Sequence, residues 1–143
     1  MSFYVRRSLQ ADTIDMLSLP IVAGSDPVVA GALVLWAAGG VDATVGAGAV
    51  LNTIAGIAQQ AGVAGDTILV SPLLPGMVVE ADVADASAIL VGDYVGTASA
   101  VLAVEGVAGA GIGRVIGSEV SIDGGADNDD KVIFIVTDMD ATA

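Results

Sequence analysis

From Pro20 onward the chain is broken about every ten residues by glycine, proline or an acid–glycine pair, and the apolar stretches between these breaks are rich in β-branched residues. That spacing suits many short strands and leaves little room for helices. Strands are expected over Val28 to Trp36, Ile54 to Ala58, Thr67 to Ser71, Met77 to Val83, Tyr94 to Thr97, Val101 to Val104, Gly113 to Ile116 and Val132 to Thr137. The breaks supply matching turn chemistry, since Gly39-Gly40, Ala64-Gly65-Asp66, Pro75-Gly76, Val91-Gly92-Asp93 and Gly124-Gly125 can all take a positive φ or a tight turn. A short helix near 49–61 stays open as an alternative, because Val50, Ile54, Ile57, Ala58 and Ala61 also share one helical face. Against it stand Gly56, at a cost of about 1 kcal/mol in a helix, and the β-branched Thr53 and Ile54.

The first twenty residues differ in kind. They hold Phe3, Tyr4, Arg6 and Arg7 and no glycine, and they read as an extended N-terminal arm (1–20) preceding a β-barrel domain (21–143). The charges of this segment are followed by Asp12 and Asp15 rather than by an apolar stretch, which does not match a secretory signal.

Within the body there is a faint internal echo. The segment Ser25 to Val34 resembles Ser87 to Gly96, and Asn52 to Ala58 followed by Ala64 to Val70 resembles Ala110 to Ile116 followed by Asp129 to Val136. Two copies of one strand-turn unit could share a core, although a chain this rich in Gly, Ala and Val also produces such matches by chance.

Chemistry is narrowed by what is missing. There is no cysteine and no histidine, so disulfides, Cys/His metal sites and His-based nucleophile systems are closed to this chain. The formal charge of −13 arises from 17 acidic residues against Arg6, Arg7, Arg114 and Lys131, and such a surface repels both phosphate backbones and anionic membranes. No nucleic-acid or membrane partner is therefore expected. Hydrophobic residues make up 55% of the chain and aromatics 3%, so the core must be built from small side chains that each bury little area, and oligomer contacts would help such a core.

The remaining motifs each have a plain explanation. The acidic stretch from Asp123 to Asp130 lacks the order of an EF-hand loop and reads as a solvated turn rather than a calcium site. Gly109 to Arg114 lacks the spacing of a phosphate loop and reads as a turn and strand edge. Glu80/Asp82 and Asp138/Asp140 place carboxylates on one face of a strand, but with so few aromatics to form a cleft they read as solubilising charge. No catalytic residue, metal or cofactor is assigned.

The run Pro75-Gly76-Met77-Val78-Val79-Glu80-Ala81, then Val91-Gly92-Asp93-Tyr94-Val95-Gly96, then Gly111-Ile112-Gly113-Arg114-Val115-Ile116, closing on an Asp-rich turn and Lys131 to Val136, resembles the capsid cement or head-decoration proteins of tailed phages. The resemblance covers roughly residues 21 to 137 and consists of turns and apolar strands rather than reactive groups. It implies a small β-barrel or β-tulip-like fold, a homotrimer, a place on the outer capsid surface of the virion, and the major capsid protein as partner. Interface residues are expected at Phe3, Tyr4, Arg6 and Arg7 in the arm, where aromatic anchors and guanidinium groups meet, and at Trp36 and Arg114 in the body. A carbohydrate- or calcium-binding adhesion module is the alternative reading.

Overall fold

The computed structural model describes residues 3–8, 16–43, 51–83, 89–97, 103–107, 111–117 and 131–137, and along 4–8 and 103–107 it describes the backbone alone. Among these residues lie the strands β1 (Phe3–Ser8), β2 (Leu17–Pro20), β3 (Leu33–Ala37), β4 (Gly40–Asp42), β5 (Ile54–Ala58), β6 (Thr67–Ser71), β7 (Met77–Val83), β8 (Tyr94–Thr97), β9 (Ala103–Val107), β10 (Gly113–Gly117) and β11 (Lys131–Val136). The fold is all-β. One 3-10 turn, Leu51–Thr53, precedes β5.

The strands form two sheets, ordered β2-β6-β5-β3-β4 and β1-β7-β11-β10-β8-β9. Neighbours within each sheet are antiparallel. The larger sheet curls until β9 returns to β7 in parallel, Val83 facing Val104, and the smaller one bends until Ile21, just past β2, bridges Val41 of β4 in parallel. Curling in this way satisfies edge groups that an open sheet would leave unpaired.

The two sheets repeat one another. Taking β2 to β6 in chain order and replacing them by β7 to β11 turns the first strand order into the second, with β1 as an extra edge strand. Registers agree residue by residue: Leu17 faces Val70 as Val79 faces Phe134. Val34 faces Gly56 as Val95 faces Gly113, and Leu33 faces Ile57 as Tyr94 faces Arg114. Trp36 faces Val41 as Thr97 faces Val104. Even the turn bonds match, since the Gly31 amide donates to the Ala58 carbonyl at 2.7 Å and the Gly92 amide to that of Val115 at 2.9 Å. The echo in the sequence thus corresponds to a structural repeat, although the first two segment pairs, written end to end, sit one residue out of the structural register.

Each half has its own core. Ile21, Val28, Val34, Val41, Ala55, Ala58, Ile68 and Val70 fill the first, with Leu19 packed against them. The second contains Val79, Ala81, Val83, Ile89, Val95, Ile112, Val115, Val132, Phe134 and Val136, and it also takes in Phe3, Leu33, Ile54, Ile57, Leu73 and Met77. The whole of β5 is buried for this reason: Ala55 and Ala58 turn toward one cluster, Ile54 and Ile57 toward the other.

β5, β6, β7 and β8 fall where the sequence places them, and Gly39, Gly65, Gly76 and Gly92 all have positive φ. Other expectations need correction. The strand expected from Val28 is interrupted by a turn at Gly31 (φ 88°), so β3 starts at Leu33 and Val28 makes only a bridge to Gly62. β9 starts at Ala103, later than expected, and the helix alternative gives way to the 3-10 turn and strand. The segment read as an arm enters both sheets, with β1 paired to β7 and β2 to β6. In a chain poor in large apolar residues, burying Phe3 is worth about 1.5–3 kcal/mol, and Leu17 and Leu19 alternate with Ser18 and Pro20 as a half-buried strand requires. Gly124-Gly125 lies outside the described residues.

Candidate interaction surface

The residues singled out by sequence do not converge on one spot. Phe3 is 1% exposed and belongs to the second core, so it is a structural residue. Tyr4, Arg6 and Arg7 lie on β1, and their side chains are outside the described residues. Their backbone carries a bulge, because the pairing moves from Val5–Val79 to Arg7–Val78 and leaves Arg6 as the extra residue.

Trp36 is 49% exposed. It stands opposite the buried Val41 in the β3–β4 register, and half of its surface is open to solvent. An aromatic in that position has area to offer a partner.

Arg114 is exposed on β10, directly across from Tyr94 on β8. Its guanidinium carbon lies 4.3 Å from the Tyr94 ring centroid, and a guanidinium N–H also donates to the Tyr94 hydroxyl. Stacking of this kind at an exposed site is worth about 0.5–1 kcal/mol and fixes the direction in which the charge points. Its side-chain partner is thus an aromatic hydroxyl and ring rather than a carboxylate. Lys131, by contrast, pairs with Asp82 across β11 and β7.

The carboxylate pair of β7 also differs from expectation. Glu80 is 2% exposed, buried on the strand rather than serving as solubilising charge, while Asp82 is engaged with Lys131. Asp138, Asp140 and the acidic stretch 123–130 lie outside the described residues. Among the described residues no group of three or more acidic side chains is placed to hold a metal ion, and no helix is long and apolar enough to cross a membrane.

Residues that sequence reading passed over complete the surface. Leu90 (72%), Val91 (68%) and Ile116 (47%) expose large aliphatic side chains. Leu90 and Val91 form the tip of a turn locked by Gly92 (φ 95°), by the Asp93 amide donating to the Leu90 carbonyl at 3.0 Å, and by the Leu90 amide donating to Asp93 Oδ2 at 2.9 Å. The tip is apolar and its backbone is fixed. The turn itself was legible from Val91-Gly92-Asp93, whereas the exposure of the Leu90 and Val91 side chains was not.

No family model, curated protein or solved structure matched the chain. The likeness to capsid cement proteins therefore rests on the order of turns and strands alone.

Proposed function

We propose that this protein acts through surface contact rather than bond chemistry, as a capsid cement or decoration protein that binds the outer face of a viral capsid across major capsid protein subunits as a homotrimer. The observation that carries the reading is the surface itself: an acidic β-body on which Trp36, Leu90, Val91 and Ile116 stay exposed and Arg114 is held by Tyr94. Aromatic, aliphatic and arginine side chains on a rigid frame are the materials of protein–protein hot spots. Net negative charge keeps such a protein away from packaged nucleic acid. Stabilisation would follow from mass action, because a ligand that binds the assembled lattice and not its free subunits shifts the equilibrium toward assembly. Several weak contacts suffice when they are displayed together on one oligomer.

Co-sedimentation with purified capsids tests this. The wild-type chain is expected to pellet with capsids and to raise the temperature at which they dissociate, and Trp36→Ala to weaken binding by roughly tenfold or more. Deleting residues 1–20 is the wrong probe, since it removes β1 and β2 from the sheets and Phe3 from the core. A wild-type chain that stays in the supernatant and instead binds calcium or a glycan in calorimetry would replace this reading with that of an adhesion module.

A further inference from the structure

Charge is distributed unevenly along this chain. Residues 8–113 contain no lysine or arginine, and the whole chain sets 17 acidic residues against four basic ones. In such a setting a cation is expected to find a carboxylate of its own, and Lys131 does so with Asp82. Arg114 does not. It is exposed, its guanidinium carbon lies 4.3 Å from the Tyr94 ring centroid, one N–H donates to the Tyr94 hydroxyl, and among the described residues no carboxylate pairs with it. A guanidinium carries five N–H donors in a planar fork, so the stack fixes the group while other donors stay open to solvent.

Apolar side chains border that fork. Ile116 follows Arg114 by two positions on β10 and, like it, is exposed, at the bulge where the register with β11 shifts between Val115 and Gly117. The Leu90–Asp93 turn is tied to the same strand, with the Gly92 amide donating to the Val115 carbonyl and the Val115 amide to the Asp93 carbonyl, each at 2.9 Å. Leu90 and Val91 therefore sit exposed beside β10 on backbone that is already held. The carboxylate of this turn is engaged, since Asp93 Oδ2 accepts from the Leu90 amide. Aliphatic surface and an oriented cation without a carboxylate thus lie at one end of the sheet, and such a patch marks a site for a partner.

We propose that Arg114, Tyr94, Leu90, Val91 and Ile116 bind an apolar segment of another protein that carries a single acidic side chain. Charge complementarity selects this occupant. The open guanidinium donors match the two oxygens of an aspartate or glutamate, and the exposed aliphatic groups match apolar neighbours of that carboxylate. One cation free of its own carboxylates holds one carboxylate. A run of acidic residues or a phosphate backbone would meet the net charge of −13 with nothing further to offset it, which favours a mainly apolar segment over both. The inference deepens the contact reading above and rests on its claim that this surface meets another protein, not on that protein being a capsid subunit.

Nuclear magnetic resonance titration with the synthetic peptide acetyl-Ser-Leu-Val-Asp-Leu-Ser-amide, and with its asparagine counterpart, tests the site. The aspartate peptide is expected to shift the Arg114 Nε–H and the Leu90, Val91 and Ile116 methyl signals saturably, with a Kd of about 1 mM or tighter, and the asparagine peptide to bind roughly tenfold more weakly. Three aspartates in a row in place of one should weaken binding. Arg114→Gln should abolish the preference between the two peptides, whereas the double change Leu90→Ser, Val91→Ser should weaken both by a similar factor. Amide spectra of the variants separate loss of contact from loss of fold, and the comparison of peptides on the wild type needs no variant. Equal affinity of the wild type for the two peptides, or no saturable shift up to about 5 mM, would overturn the inference. A chain that prefers the aspartate peptide but does not pellet with capsids keeps the inference and loses the capsid, and pelleting without any peptide preference does the reverse.

Discussion

A methyl group on Gly56 would lie well inside van der Waals contact with the Ser71 carbonyl oxygen, and one on Gly113 would strike the Phe134 ring and the Ile135 carbonyl. The two glycines occupy matching positions in the two halves, on β5 and at the start of β10, so each half needs its backbone to approach the next strand closely at the same point. Gly56 adds a φ of 152°, where side chains are rarely tolerated. Gly56→Ala and Gly113→Ala should each cost about 3 kcal/mol, seen as a fall in the urea midpoint with the slope unchanged. Gly39→Ala provides the contrast, since its φ is 91° but nothing lies near the added carbon, and it should cost only about 1–2 kcal/mol. Equal losses at Gly39 and Gly56 would show that close approach is not what selects glycine at Gly56. Sequence could mark these residues as breaks in a pattern. Which of them turned the chain and which let two strands meet depended on neighbours far away along it.

Turns carry the information at the scale of elements. Val63-Ala64-Gly65-Asp66 and Leu90-Val91-Gly92-Asp93 share one construction, in which the aspartate amide donates back to the first residue's carbonyl and its carboxylate accepts from that residue's amide. Both were legible because glycine and aspartate at those two places have local physical causes. Asp93→Ala should remove about 0.5–1 kcal/mol and speed exchange of the Leu90 amide, whereas Asp93→Asn, which keeps an acceptor oxygen, should restore most of the protection. Exchange rates unaffected by Asp93→Ala would mean that Gly92 alone fixes the tip. The elements that were missed have equally physical reasons. β1 and β2 lie in a segment whose charges and lack of glycine suggested an arm, and β4 is three residues long with glycine at its start.

For the whole molecule, the two halves depend on one another because Leu33, Ile54 and Ile57 of the first contribute to the cluster that also holds Phe134 and Val79 of the second. A fragment of residues 16–75 keeps its own small core but loses the cover over those three side chains. It should be unfolded or aggregated at 25 °C, and a well-dispersed amide spectrum from it would show the halves to be independent. What the sequence determined by itself is local: short strands, because β-branched stretches alternate with glycine turns, and the exclusion of histidine and cysteine chemistry, because those residues are absent. Tertiary structure alone decided that Phe3 is core rather than anchor, that Glu80 is buried, and that Arg114 stacks on Tyr94. Those outcomes depend on which strand lies beside which. In a two-fold repeat of small apolar residues, that choice is made by the summed fit of many weak contacts and leaves no mark at any single position.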